Sequence, residues 1–225
     1  MNDTLPSRLE AIRTRIRSAC LRVGRDPAEV RLVAVSKRHR PEFIRAAYAL
    51  GQRDFGENYV QEMVEKFDAL RDLPDIRFCL IGHLQRNKVR DVVRIGASVH
   101  TVDSIRLAQR LARLSQEAGT CTEVFVQTKL SSEPQKSGCP PDRLDELVAQ
   151  VRELSALDVR GLMVIPSAEE DPEAARPTFQ RIRERAESLG LKDLSMGMSQ
   201  DFEVAIEEGA TVVRIGSSIF GSRPA

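Results

Sequence analysis

Residues 31–40 read Arg-Leu-Val-Ala-Val-Ser-Lys-Arg-His-Arg, a short apolar run closed by Lys37 and followed by a turn that contains no glycine. The run has the length and β-branched content of a buried strand. An open doubly wound sheet would place a glycine-rich turn after its first strand. The turn 36–40 has none, which favours a closed barrel.

Outward from this unit the same pattern recurs. Apolar runs at 31–35, 53–56, 77–81, 98–102, 123–128, 158–164, 193–197 and 211–215 predict strands. Helical patterns begin at Pro41 and stop at Gly51, and others cover 60–70, 86–94, 104–118, 143–154, 173–189 and 201–208. Strands that alternate with helices imply parallel pairing through crossover helices. Eight such units in 225 residues, without a linker or composition shift, predict an α/β fold: a single (β/α)8 TIM barrel over 1–225. An added helix within 1–25 is expected to pack on the barrel. Ser7 and Glu10 have the spacing of a capping box at its start, with Leu9, Ile12, Ile16 and Cys20 following at helical intervals.

Bulk properties exclude several classes. The formal net charge is +1, with acids and bases interspersed. A nucleic-acid surface would show a basic face or stripe. No apolar stretch approaches the ~20 residues of a membrane span, and the polar N-terminus has no signal-peptide core, so a cytoplasmic protein is expected. Four cysteines stand without a CxxC pair, and three histidines form no HxH or HExxH pair. Reduced thiols and no metal centre follow.

The chemistry gathers at the strand ends, where barrel enzymes carry their sites. Lys37 is one of only six lysines. An ammonium beside an apolar barrel has its charged form disfavoured, and the resulting amine can attack a carbonyl to give a Schiff base. At the last strand end, Gly216-Ser217-Ser218 opens a very short helical segment of the kind that holds phosphate in barrels, and the hydroxyls of Ser217 and Ser199 are further donors. The first and eighth strands are neighbours in a closed barrel, so amine and cradle share one mouth. Together they suit pyridoxal phosphate. Arg214, inside an apolar strand, is either a buried ion-pair member or the partner of a ligand such as a pyridine nitrogen. A guanidinium there disfavours ring protonation and weakens the ring as an electron sink. Asn58 reads equally as a helix cap or a ligand contact, and Asp103 as the cap of the next helix.

The segments VRLVAVSK, DFGENYVQE, FCLIGHLQRNK, VHTVDS, QKSG, GLMVIP, LSMGMSQDFEVAI and TVVRIGSSIFGSR resemble the pyridoxal phosphate homeostasis protein family, which is related to the barrel domain of alanine racemase. The resemblance runs from the first strand to Arg223. It implies that Lys37 carries pyridoxal 5'-phosphate as a covalent aldimine, that Ser199, Gly216 and Ser217 hold its phosphate, that Arg214 faces the ring nitrogen and that Asn58 lies beside the cofactor. Lys129 stands where the family usually has asparagine and Val164 where it has threonine. Lys129 and Lys136 are therefore additional landing sites to consider for the aldehyde.

Two functions compete. One is a carrier that holds the cofactor reversibly and delivers it, with apo-enzymes as possible partners. The other is a racemase-like enzyme on amino acids, which needs a proton acceptor on each face of the α-carbon. In alanine racemase the second base is a tyrosine supplied with the help of a further, β-rich domain, which this sequence is expected to lack. Tyr59 is the one candidate, and a core or rim role fits it better than catalysis. A third reading, an enzyme on a phosphorylated metabolite, has only Glu57 and Asp103 as acids. The carrier reading is preferred, with no catalytic residue, as a monomer.

Overall fold

The structure is a computed structural model, which describes residues 4–129, 137–166 and 171–221. The strands are β1 (Arg31–Val35), β2 (Asp54–Glu57), β3 (Arg77–Leu80), β4 (Ser98–Val102), β5 (Thr122–Gln127), β6 (Leu157–Met163), β7 (Asp193–Ser195) and β8 (Val212–Ile215). They pair in parallel in chain order and close between β8 and β1, where Leu32 faces Val213 and Ala34 faces Ile215. The expected (β/α)8 barrel is what forms, with strand ends within two residues of those read from the sequence. The helices are α1 (Leu5–Arg22), α2 (Pro41–Ala49), α3 (Val60–Ala69), α4 (Val89–Ile95), α5 (Ile105–Glu117), α6 (Leu144–Arg152), α7 (Arg176–Ser188), α8 (Phe202–Glu207) and α9 (Ser217–Phe220). The pattern read as one helix over 86–94 divides into a 3-10 turn, Arg86–Lys88, and α4.

Strand alternation sorts the apolar residues into two cores. Val33, Cys79, Phe125, Met163 and Val212 meet inside the barrel. Residues of opposite parity, such as Ala34, Phe55, Leu80, Val124 and Val213, pack outward beneath the helices. This parity assigns faces at the strand ends. A Cβ on Gly56 would touch the side chains of Val33 and Val35. Val35 and Gly56 therefore point inward and Glu57 points outward, while Lys37 lies two residues beyond Val35, in the turn that follows the strand.

Helix α1 begins one turn earlier than the capping box suggests. Thr4 is its N-cap residue and Pro6 lies in its first turn, so Ser7 is already helical and caps nothing. Proline at that point needs no N–H partner and sets the helical φ, which wins over a serine cap. Leu9, Ile12, Ile16, Ala19 and Cys20 are buried along its inner stripe, against α8, α9 and α2. Arg8 Nε donates to the Ile219 carbonyl at 2.7 Å, tying α1 to α9. The cysteines 20, 79, 121 and 139 are all free thiols. No described helix is long and apolar enough to cross a membrane, and no metal-ligand cluster occurs among the described residues.

Candidate functional site

Lys37 sits at the first corner of a turn in which the His39 N–H donates to the Ser36 carbonyl at 3.0 Å. The next residue, Arg38, has φ 64°, the left-handed region that favours glycine. This reversal turns the chain from β1 towards α2 and leaves Lys37 half-buried at the barrel mouth. Directly behind it, on the outer face, lies a buried polar cluster. Lys66 Nζ donates to the Ser36 carbonyl at 2.7 Å, to Glu57 Oε1 at 2.6 Å and to Glu62 Oε1 at 2.7 Å. Ser36 Oγ donates to Glu57 Oε1 at 2.6 Å. Burial pushes the Glu57 carboxyl up to about 7 against the opposing pull of Lys66. Its Oε2 is buried with no hydrogen-bond partner among the described residues. Glu57, read from sequence as an acid at the mouth, thus faces away from it.

Arg214 projects from β8 into the barrel and is buried. Its Nη1 donates to Ser195 Oγ at 2.7 Å and its Nη2 to the Val164 carbonyl at 2.9 Å. It pairs with no carboxylate among the described residues, so of the two alternatives the ion-pair member is not what forms. Burial lowers Arg214 to about 10, still cationic at neutral pH. Ser195 Oγ also meets His100 Nδ1 at 2.9 Å, and His100 Nε2 lies 3.3 Å from Ser98 Oγ. Burial first, then the charges of Arg214 and Arg31, hold His100 well below its ordinary value. A neutral imidazole that accepts from Ser195 at Nδ1 and donates from Nε2 satisfies every bond. Sequence reading missed this network, because its members are far apart in the chain.

Two loops complete the mouth. After β7, Gly197 (φ 91°) leads into Met198, whose N–H donates to Asp201 Oδ1 at 2.6 Å. This folds the loop around Ser199 against α8. After β8, Gly216 precedes α9, and a Cβ there would lie 3.2 Å from the Val35 carbonyl oxygen and 3.3 Å from Val35 Cβ. Gly216 therefore lets the loop settle onto the strand that carries Lys37. Among the described residues, the N–H groups of Ser199, Gly216, Ser217 and Ser218 and the hydroxyls of Ser199 and Ser217 find no protein acceptor or donor. Such a cluster of free donors, in contact with the amine-bearing strand, fits a phosphate dianion.

The remaining predicted residues fall as follows. Asn58 ends the β2 loop, half-buried, and is not a cap, since Tyr59 is the N-cap residue of α3. A Cβ on Gly82 would meet the Asn58 carbonyl oxygen at 2.1 Å, so these two loops are in tight contact. Asp103 is no cap either. The cap position of α5 belongs to Ser104, and Asp103 lies 3.8 Å from His83. Tyr59 is 54% exposed, a rim position. Lys129 follows β5 on the parity of Phe125 and Gln127, half-buried. Lys136 lies outside the described residues. An open cleft of about 900 Å³ between the loops after β3 and β4 is lined by His83, Arg86, Asp103, Arg106 and Arg110, and Asp103 is the one residue of this group that it contains.

Residues 7–224 match the family described as alanine racemase, N-terminal domain. A pyridoxal phosphate homeostasis protein of Pseudomonas aeruginosa is 44% identical over 223 residues, covering 98% of this chain and 96% of that protein. One of the same name from Aquifex aeolicus is 41% identical, covering 96% and 97%. The solved structure of PipY from Synechococcus elongatus, described with PLP bound, superposes with a TM-score of 0.87 at 38% identity, covering 97% of this chain and all of that one. An alanine racemase of Clostridium difficile shares the fold, with a TM-score of 0.72 at 14% identity over 58% of its length. The chain therefore belongs to the pyridoxal phosphate homeostasis proteins, within the alanine racemase N-terminal domain family.

Proposed function

We propose that this protein holds pyridoxal 5'-phosphate as a reversible Schiff base on Lys37 and serves pyridoxal phosphate homeostasis and delivery without catalytic turnover. The observation that carries the reading is the contact of Gly216 with Val35. It sets a cluster of unused hydrogen-bond donors against the strand that ends in the mouth-facing lysine. Ser199, Gly216 and Ser217 would grip the phosphate, and Asn58 would lie beside the ring. Arg214, cationic and buried, would face the ring nitrogen and keep it unprotonated. The names of the relatives and the PLP-bound state of the PipY structure point the same way.

When bound, pyridoxal phosphate can stabilise a carbanion at the α-carbon of an amino acid. The residues here supply little to exploit that. Racemisation needs two bases on opposite faces. Tyr48 is engaged by Asp75 and stacks under Arg53 at 4.0 Å, and Tyr59 is exposed on the rim. A site that binds and orients the cofactor, with neither tyrosine placed as a second base, suits exchange. Delivery to apo-enzymes follows as the use of such exchange.

The test is direct. The purified protein, incubated with pyridoxal phosphate, is expected to absorb in the visible and to gain one cofactor mass after borohydride reduction. Lys37→Ala should show neither. Transfer to a pyridoxal phosphate-dependent apo-enzyme should proceed, and alanine should keep its configuration. A wild-type protein that gains no mass would refute cofactor binding. Racemisation abolished by Lys37→Ala would refute the carrier reading in favour of an enzyme.

A further inference from the structure

Lys37 reaches the mouth, yet the residues immediately before and after it are fastened on the other side of the strand. All three polar groups of Ser36 are engaged. Its N–H donates to the Gly56 carbonyl at 3.0 Å, its hydroxyl donates to Glu57, and its carbonyl accepts from both His39 N–H and Lys66 Nζ. On the far side of Lys37, the Arg38 N–H donates to Glu62 Oε1. Lys66 unites the two halves. It is only 3% exposed, and each of its three protons has one acceptor: the Ser36 carbonyl, Glu57 and Glu62.

The turn needs this support. Arg38 is the only non-glycine residue with positive φ among those described. The left-handed conformation is disfavoured for an L-residue other than glycine, and it persists only where the surroundings over-determine it. Burying the Lys66 ammonium beside the Glu57 carboxyl is costly as well. A barrel could end β1 with neither expense, by a glycine and a solvated turn. Both are spent at one residue's flanks, and that residue is Lys37.

We propose that Lys66, with Glu57 and Glu62, is a positioning device for Lys37. It fixes the backbone on both sides so that the flexible amine is presented at one point of the mouth. This inference rests on Lys37 as the aldehyde-binding residue. Capture joins the neutral Lys37 nitrogen to the aldehyde carbon as C=N and releases the aldehyde oxygen as one water. The device acts on where the nitrogen stands, with no share in the bonds that form. Misplacement of a reacting atom by about 1 Å costs on the order of 100-fold in rate.

The experiment measures the rate and pH profile of covalent capture at Lys37 in the full chain. Pyridoxal phosphate and phosphate-free pyridoxal serve as probes, with borohydride trapping and intact mass as the readout. Glu62→Ala, at a partly exposed carboxylate, removes the acceptor of the Arg38 N–H. It should slow capture of both probes by about 10- to 100-fold, and a melting temperature close to wild type would show that the fold is retained. Glu62→Gln keeps an acceptor oxygen and should recover most of the rate. Lys66→Met should slow capture at least as much, and if it does not fold, the Glu62 pair decides. Wild-type rates in folded Glu62→Ala would overturn the positioning role. So would a defect confined to pyridoxal phosphate, since that would belong to the phosphate cradle. Failure of the wild-type protein to label at Lys37 would instead remove the cofactor reading itself.

Discussion

The two ends of the barrel treat their polar groups in opposite ways. At the N-terminal ends of the strands, charges pair between strands. Arg31 meets Glu123 at 2.8 Å, Arg77 grips both carboxylate oxygens of Asp54 at 2.9 and 2.7 Å, and Arg160 meets Asp193 at 3.2 Å. At the C-terminal ends, the donors of Ser199, Gly216 and Ser217 have no protein partner among the described residues. These donors are half-buried or exposed, open to solvent and so to whatever enters the mouth. The paired end closes the barrel.

Two glycines test this division with the largest expected effect. A Cβ on Gly161 would lie 1.7 Å from the Asp193 carbonyl oxygen at the paired end, and one on Gly82 would lie 2.1 Å from that of Asn58 at the open end. Neither oxygen can yield without moving backbone. Each alanine variant should lose about 2–4 kcal/mol, or about 5–15 °C in melting temperature. Only Gly82→Ala, which displaces Asn58, should also weaken pyridoxal phosphate binding, by about tenfold or more relative to Gly161→Ala. Titration by visible absorbance at a temperature where both are folded reads the difference. Equal affinities would break the comparison.

The second effect falls on the open end alone. In the double variant Ser199→Ala/Ser217→Ala, two hydroxyls that no protein group among the described residues uses are removed, so stability should hold within about 0.5 kcal/mol. Hydrogen bonds to a charged group contribute about 1.5–3 kcal/mol each, so the Kd for pyridoxal phosphate should rise at least about tenfold. The affinity for pyridoxal, which lacks the phosphate, should not change. An equal loss for both ligands would remove these serines from the phosphate.

Much of this arrangement was legible in the sequence because it depends on local alternation. The runs after Arg31 and before Gly216 declare their strands, and the end of the first run already places Lys37 at the barrel mouth. Parity also holds the error made at Glu57. Gly56 is an inner residue, so its neighbour must point out, but a strand of four residues with polar ends shows no alternation to read. Lys66 gave no signal at all. On α3 it resembles any solvated lysine, and only the packing of that helix onto β2 buries it. The contacts of His100 with Ser195, and of Arg214 with the Val164 carbonyl, join positions 95 and 50 residues apart. No spacing rule anticipates them.

A third, smaller effect should appear at the paired end. Glu123→Gln keeps the shape but removes the charge facing Arg31, whose side chain is 30% exposed. A half-exposed pair of this kind is worth about 1 kcal/mol or less, so the melting temperature should fall by no more than about 2–4 °C. Cofactor affinity should stay at the wild-type value. A change in affinity without a change in stability would show that the N-terminal ring also shapes the mouth.

The smallest effect separates the ends by pH. Near neutrality no titration is expected from Arg77, which its bond to Asp54 holds above the ordinary guanidinium value. Behind the mouth, Glu57 is raised to about 7, chiefly by burial. The folded protein then keeps a proton that the unfolded chain releases above its ordinary value of about 4.5. Glu57 thus contributes stability that is present at low pH and lost as pH rises towards about 7, and nothing changes beyond that. His100 acts with the other sign. It is held neutral when folded, so the unfolded chain gains a proton below about 6.5, and stability falls as pH drops. The two partly cancel in the wild-type protein. Glu57→Gln removes the first and leaves the second, so between about pH 5.5 and about pH 8 the variant's melting temperature should rise by a few degrees relative to wild type. Parallel curves would mean that Lys66 keeps Glu57 ionised throughout. The cluster behind Lys37 would then be a fixed ion triad, as insensitive to pH as the ring at the other end.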